Sequence, residues 1–134
     1  MDSQKVVDPF LKGTIDWLDQ FSPGLWRNLD KVLELGEDKA RLILKSFLEC
    51  SCQSQNMQTI LIGRRGVLSM PLPWVRENLP ACVEQQLDLS DYWQYRRLLE
   101  LCDALDGSLL KRYVRLGIES DKDDIKEAAN DFQV

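Results

Sequence analysis

Apolar residues recur at helical spacing between Ser90 and Leu105, and this stretch predicts the most strongly marked helix of the chain. Ser90 is expected to cap the first turn, with Asp91 complementing the helix dipole, and Gly107 to end the helix. Its apolar positions lie three and four residues apart, and two further residues widen the face: Tyr95, Leu98, Leu99, Cys102 and Leu105, beside Tyr92 and Leu101. A helix with so wide an apolar face needs neighbours on at least two sides, so we expect it to be a central element.

The polar side of the same helix offers two pairs of residues that are four positions apart. Arg96 and Glu100 can form an ion pair, which on an exposed helix is worth roughly 0.3 kcal/mol. Trp93 and Arg97 are spaced so that the guanidinium can lie over the indole ring. Both pairs are expected on the solvent side of the helix.

Start and stop signals predict three further helices in the N-terminal half. Asp8-Pro9 and Ser22-Pro23 each combine a cap with a first-turn proline, and Gly36 ends the second helix. The apolar residues of that second helix are Leu25, Trp26, Leu29, Val32 and Leu33. The third helix spans residues 37–52, and its buried stripe is predicted to be Ala40, Ile43, Leu44, Phe47 and Leu48. Residues 51–56 are polar and predict a loop.

Residues 57–70 fit two structures. A helix would leave Arg64 and Arg65 exposed and would place one apolar set on a single side: Met57, Ile60, Leu61, Val67 and Leu68. A hairpin would place two short strands around a turn at residues 63–66. The central Arg-Arg pair suits such a turn poorly, and the chain has no other strand candidate to complete a sheet. The pattern therefore favours the helix.

Prolines mark the helix that follows. Pro73 can open it, and Pro80 lies inside its apolar pattern. Because proline lacks an N–H group, Pro80 must either kink this helix or start a new one with Asn78 as its cap.

Two helices are predicted after the central one. Asp106 or Ser108 is expected to cap the first of them, over residues 108–119, and Asp121 to cap the last. The residues expected to be buried in these two helices are Leu109, Leu110, Tyr113, Val114, Leu116, Ile125, Ala128, Ala129 and Phe132.

Together these elements predict a single all-α domain over residues 1–134, a compact stack of about seven or eight short helices. A chain of 134 residues is long enough for a sizeable core. Residues 1–7 are expected to be a flexible end.

The second half of the chain resembles a known architecture. From Pro73 onward, helices of about 12–16 residues alternate with tight polar turns. With the final stretch LGIESDKDDIKEAANDF, this part resembles the repeat junctions of HEAT-like α-solenoids. The N-terminal half shows no matching repeat, which leaves an irregular helical bundle as the alternative.

The segment DYWQYRRLLEL, together with the same tail, also looks like small helical proteins among the bacterial immunity proteins of polymorphic toxin systems. The residues that carry this likeness are Tyr92, Trp93, Tyr95, Arg96, Arg97, Leu98 and Leu99. Such proteins bind a cognate toxin and block it, and they are not enzymes. The resemblance therefore implies a binding function, but it does not locate a binding site.

The chain contains no histidine, which removes the commonest general base and the histidine-based catalytic triads. The four cysteines are expected to be reduced, and the Cys50-Ser51-Cys52 spacing is not one that binds zinc; the other two are Cys82 and Cys102. The sequence GRRG at 63–66 is too short for a phosphate-binding loop. We therefore expect no metal, no cofactor and no enzymatic activity.

The net charge of −5 argues against a nucleic-acid partner and suits a basic protein partner. No apolar run approaches the roughly 20 residues of a membrane span. The N-terminus MDSQKVVDPF lacks the apolar segment of a signal peptide. We therefore expect a cytoplasmic protein without a membrane partner.

Two functions fit these observations. The first is a non-enzymatic protein-binding module, an immunity protein that neutralises a cognate toxin, to which a basic toxin would be drawn by opposite charge. The candidate contact residues are Asp88, Asp91, Trp93, Arg97, Glu100, Asp103 and Asp106. The alternative is a structural or adaptor domain that forms a homo-oligomer through exposed aromatic residues such as Trp74 and Trp93.

Overall fold

The computed structural model describes residues 8–133, which form seven α-helices and two 3₁₀ segments, with no β-strand in that range. The prediction of an all-α fold is confirmed, and residues 57–69 are a helix and not a hairpin. The prediction made for residues 1–7 lies outside the described residues. The α-helices are α1 (Pro9–Asp19), α2 (Glu37–Ser51), α3 (Met57–Ser69), α4 (Leu72–Gln86), α5 (Tyr92–Leu105), α6 (Gly107–Ile118) and α7 (Asp123–Asp131), and the 3₁₀ segments are Leu25–Arg27 and Leu29–Leu35.

Carboxylate caps start three of these helices, α1, α5 and α6. Asp8 accepts a hydrogen bond from the backbone nitrogen of Phe10 at 2.9 Å and starts α1, as predicted. At α5 the cap is Asp91, which accepts from the backbone nitrogen of Gln94 at 3.1 Å. The prediction that Ser90 caps this helix was wrong, because Asp91 stands directly before the first helical residue. From that position a cap side chain reaches the N–H groups two and three residues further on.

A single residue, Asp106, separates α5 from α6. Its extended backbone, with φ −164° and ψ 127°, ends α5. Its carboxylate accepts hydrogen bonds from the backbone nitrogens of Ser108 and Leu109, at 3.1 Å each, and so starts α6. Gly107 is therefore the first residue of α6, and the prediction that it terminates α5 was wrong.

The last two helices also differ in detail from the prediction. Leu116 is 50% exposed, because the buried face of α6 is centred on Tyr113 and Gly117. At α7 the residue before the helix is Lys122, whose backbone nitrogen donates to Ser120 Oγ at 3.1 Å. The predicted cap, Asp121, lies one residue too early for that role.

Residues 22–36 do not form the α-helix predicted for them. Gly24 adopts a left-handed φ of 77°, and Asn28 leaves the helical region at φ −133° and ψ 34°. The Asn28 side chain instead donates to the carbonyl oxygen of Gly24 at 3.0 Å, and the chain continues in short 3₁₀ turns. Among the apolar residues expected to be buried, Leu25, Leu29 and Val32 are buried, whereas Leu33 is exposed.

Pro80 lies inside α4 without ending it. Its ring removes one backbone hydrogen bond from the helix interior. Asn78 Nδ2 donates to the carbonyl oxygen of Trp74 at 2.9 Å, within α4 itself, so Asn78 does not cap a new helix. Of the two predicted outcomes, a second helix that starts at Pro80 is excluded.

Helix α5 is a central element, as predicted, because it contacts α2, α3, α6 and α7. The hydroxyl of its fully buried Tyr95 donates to the carbonyl oxygen of Tyr113 on α6, at 2.6 Å. The other inward residues of α5 are also buried: Leu98, Leu99, Leu101 and Cys102. The apolar face read from the spacing is thus the face that builds the core.

Helices α2 and α3 pack through glycine. A Cβ on Gly63 would lie 2.7 Å from both the carbonyl oxygen of Phe47 and the backbone nitrogen of Ser51. A Cβ on Gly66 would lie 2.6 Å from the Phe47 ring. Since ordinary carbon contacts need about 3.5 Å or more, only residues without a side chain fit at these two positions.

This glycine contact reverses the orientation predicted for part of α3. The face that meets the core holds Thr59, Ile60, Ile62, Gly63, Gly66 and Val67. Met57, Leu61 and Leu68 are instead about half exposed. The prediction that these three share the buried side with Ile60 and Val67 was wrong, because a close approach to α2 favours the smallest residues over the largest.

Candidate protein-binding face

Four of the seven large apolar side chains that are exposed in residues 8–133 lie on α3 and α5. Met57, Leu61 and Leu68 are 48%, 49% and 45% exposed, and Trp93 is 43% exposed. The three α3 residues are four and seven positions apart, so they form one row along the outer surface of the helix, which we call the α3 row. The α3 row is joined to α5 through Arg64, whose partner Glu100 also pairs with Arg97, and Arg97 in turn stacks on Trp93; we call the α3 row with these four residues the α3–α5 face.

An ion cluster joins the two helices within this face. Glu100 of α5 pairs with Arg64 of α3 and, at 3.0 Å, with Nη1 of Arg97 on its own helix. The three side chains are largely buried, with 23%, 19% and 12% of their surface exposed. The prediction that Arg64 is exposed was wrong, and Glu100, expected to be an exposed acid, is engaged by two arginines. Because either charge left alone would be costly to bury, this cluster fixes α3 against α5.

The predicted ion pair of Arg96 with Glu100 is present but long, at 3.9 Å. Arg96 Nη1 makes its shorter contact with Asp131 of α7, at 2.8 Å, and its guanidinium lies over the ring of Phe132 at 5.5 Å from the centroid. Arg96 therefore ties α5 to α7.

Arg97 positions Trp93. Its guanidinium lies over the Trp93 ring at 4.8 Å from the centroid, which confirms the pairing predicted from their spacing. Its Nε and Nη2 also donate to the carbonyl oxygens of Gln53 and Ser54, at 3.2 and 3.0 Å. One side chain thus holds both the exposed indole and the loop that leads into α3.

A second stack borders the other side of the α3 row. The guanidinium of Arg65 lies over the ring of Trp26 at 5.2 Å from the centroid. Arg65 is exposed, and within residues 8–133 it has no carboxylate at ion-pair distance. The α3 row is therefore flanked by guanidinium groups on both sides.

Three of the acids proposed as contact residues are held by hydrogen bonds within the chain. Asp88 accepts hydrogen bonds from the backbone and hydroxyl of Ser90, at 3.0 and 2.6 Å. Asp91 and Asp106 cap helices at opposite ends of α5, about 22 Å apart along its axis. Asp103 is exposed on α5. The structure therefore brings only Trp93, Arg97 and Glu100 of the seven candidates into one face.

Asp106 predicts a pH dependence of stability. The Ser108 hydroxyl, and after it Arg76 at 2.9 Å, hold the pKa of Asp106 at about 2. Because this pKa lies below the unfolded value of about 3.9, its contribution is present above pH 4 and is lost as the pH falls towards 2. Asp106→Asn is expected to remove that part of the acid sensitivity, measured as the melting temperature at pH 7, 4, 3 and 2.

Asp103→Asn is the matched control, since it removes an exposed carboxylate from the same region without a cap. It is expected to keep the acid sensitivity of the unaltered chain. If Asp106→Asn kept it too, the carboxylate of Asp106 would not be held by Ser108 and Arg76 as described.

The four cysteines are free thiols, three of them buried and Cys50 half-buried. Burial raises the pKa of Cys52 to about 12 and also raises that of Cys102, so both stay protonated and unreactive at neutral pH. In the described part of the chain, no three cysteine or carboxylate side chains lie close enough together to hold a metal ion. Nor does any helix of residues 8–133 have the length and apolar character to cross a bilayer.

Sequence reasoning missed the α3 row because it assigned those residues to the core. The signal that points to the true orientation is the pair Gly63 and Gly66, three positions apart on one side of the helix. Two glycines on one helical face indicate a close approach to a neighbouring helix. A search of protein-family models, curated proteins and solved structures found no match to this chain.

Proposed function

We propose that this chain is a non-enzymatic protein-binding module that binds its partner through the α3–α5 face. The observation that supports this most is the α3 row, whose three large apolar side chains stay about half exposed on one helix. Single exposed apolar residues are ordinary, but a row of them on one helix, joined through an ion cluster to an exposed tryptophan, is typical of interaction surfaces.

Energetic considerations support the same surface. Full burial of a leucine or methionine is worth about 1.5–3 kcal/mol, so each residue of the row leaves roughly 1 kcal/mol unrealised in the isolated chain. Trp93 and Arg97 add the residue types that most often dominate binding energy at interfaces. Because Arg97 holds the indole in place, Trp93 would lose little side-chain entropy on binding.

The partner we propose is a protein. More specifically, we propose a toxin that this chain neutralises in the cytoplasm. This rests on the resemblance to immunity proteins and to HEAT-like stacking. The net charge of −5 would attract a basic protein at long range. This attraction acts over the whole surface and does not by itself select the α3–α5 face.

The test is affinity capture of a tagged full chain from its native host, with mass spectrometry of the captured protein. The double variant Leu61→Glu with Leu68→Glu places charges in the α3 row and is expected to weaken capture about 30-fold or more. Leu116→Glu is the control, because Leu116 is 50% exposed but lies on α6. Equal capture by all three proteins would refute the proposed face.

Self-association is the second candidate, because the α3 row could also pack against a second copy. Trp74, suggested for this role by the sequence, is less suited, since its Nε1 already donates to the Glu37 carboxylate at 2.7 Å. Light scattering between micromolar and millimolar concentrations measures the mass in solution. A mass that doubles with concentration, and no longer does so in the Leu61→Glu variant, would favour this candidate.

A further inference from the structure

We infer that the α3–α5 face receives an amphipathic helix of the partner protein, with carboxylates beside the apolar residues of that helix. This inference rests on the proposed function and adds the chemistry of the bound segment. It follows from the shape of the α3 row and from the charges that border it.

The shape of the row favours a helix. Met57 to Leu68 spans eleven residue steps, so the row is about 16 Å long, or three helical turns. Ridges of side chains at this spacing pack into the grooves of another helix. A β-strand has no comparable site here, since the backbone of α3 is hydrogen-bonded within the helix and offers no strand edge. The bound segment should therefore be a helix of at least about 11 residues.

The charges around the row favour an acidic segment. Arg64 and Arg65 border it on α3, and Arg97 of α5 shares the carboxylate of Glu100 with Arg64. The exposed Arg65 has no carboxylate at ion-pair distance within residues 8–133, so these three arginines and one glutamate carry two net positive charges. Carboxylates on a docked helix would supply the negative charge that this group lacks.

The end of the α3 row at the start of α3 carries no arginine. At the start of α3, Gln58 Nε2 donates to the carboxylate of Asp8 at 2.6 Å. The guanidinium groups of Arg64 and Arg65 lie one to two turns further along α3. The carboxylates of the bound helix are therefore expected opposite the second half of α3, from Arg64 to Leu68.

The experiment uses the full chain and two fluorescent helical peptides with the same apolar residues at positions i, i+4 and i+11. One peptide carries glutamates beside those residues and the other carries lysines. We expect the glutamate peptide to bind at least about tenfold more tightly in fluorescence anisotropy, with an affinity that falls as salt increases. Equal or tighter binding of the lysine peptide, or no binding of either peptide at millimolar concentration, would overturn the inference.

Two variants separate this inference from the proposed function. Arg65→Glu is expected to weaken binding of the glutamate peptide about tenfold, while Lys126→Glu, the same charge change on exposed α7, leaves it unchanged. An unchanged affinity in Arg65→Glu together with a loss in Leu61→Glu would overturn the acidic segment and keep the face. An unchanged affinity in Leu61→Glu would overturn both. Circular dichroism of each variant checks that the fold is intact.

Discussion

Replacing Gly63 with alanine is expected to destabilise the fold by about 3 kcal/mol, although alanine is the better helix former. The added Cβ would lie 2.7 Å from the carbonyl oxygen of Phe47 and from the backbone nitrogen of Ser51. Both atoms belong to the backbone of α2, which cannot yield as the end of a side chain does. Helices α2 and α3 must therefore move apart and lose packing along their whole contact. Urea unfolding followed by circular dichroism measures the change.

Gly13→Ala is the matched control for this prediction. Gly13 lies within α1, is exposed, and has no atom within 4 Å of the position of an added Cβ. Alanine there is expected to stabilise the chain by about 0.5–1 kcal/mol. The two substitutions should thus have opposite signs, and a Gly63→Ala variant as stable as Gly13→Ala would contradict the close packing of α2 on α3.

Truncating Tyr95 is the second large effect that the structure predicts. Tyr95→Ala is expected to cost about 4 kcal/mol, because it leaves a cavity among α5, α6 and α7. Tyr95→Phe removes only the hydroxyl that donates to the carbonyl oxygen of Tyr113 at 2.6 Å, and is expected to cost about 1–2 kcal/mol. Thermal unfolding ranks the variants. Tyr92→Phe removes a half-buried hydroxyl that accepts only a long hydrogen bond from Arg96, at 3.3 Å, and it is the control with a smaller expected change.

The same residue predicts a loss of stability in alkali. Burial raises the pKa of Tyr95, and that of Tyr113, to about 12. Unfolded tyrosine releases its proton near pH 10, so between pH 10 and 12 the folded chain holds protons that the unfolded chain has lost, and stability falls as pH rises. Because burial also raises the pKa of the Cys52 and Cys102 thiols, Tyr95→Phe removes one of at least four such groups, and its stability should fall less steeply by up to about a quarter. An unchanged slope would show that Tyr95 does not contribute.

Sequence periodicity was sufficient where packing depends on large apolar residues. The stripe of α2 and the face of α5 were both predicted correctly, because leucine, isoleucine and phenylalanine at helical spacing have no better place than the core. It was insufficient for α3, where Gly63 and Gly66 let the backbone of α2 approach. Hydrophobic periodicity predicts burial from the hydrophobicity of each side chain. It does not show that a glycine, which has no side chain, lets a neighbouring helix pack closely.

Only those contacts of the candidate face that lie within one helix could be predicted from the sequence. Trp93 and Arg97 are four positions apart on one helix, so their stacking could be read from the sequence. The pairing of Arg64 with Glu100 joins residues 36 positions apart and depends on how α3 packs against α5. The acids chosen from net charge lie apart in the structure, and two of them cap helices, because charge alone does not distinguish a helix cap from a surface acid.

The one-residue junction at Asp106 has a consequence for how this chain can vary in length. One inserted residue would turn α6 by about 100° relative to α5 and would carry Tyr113 away from Tyr95. The loop of residues 52–56, by contrast, is a five-residue connection in which three residues are exposed. Insertions and deletions in related chains should therefore accumulate before α3 and be absent between α5 and α6, so these two helices would be inherited as a unit of constant length.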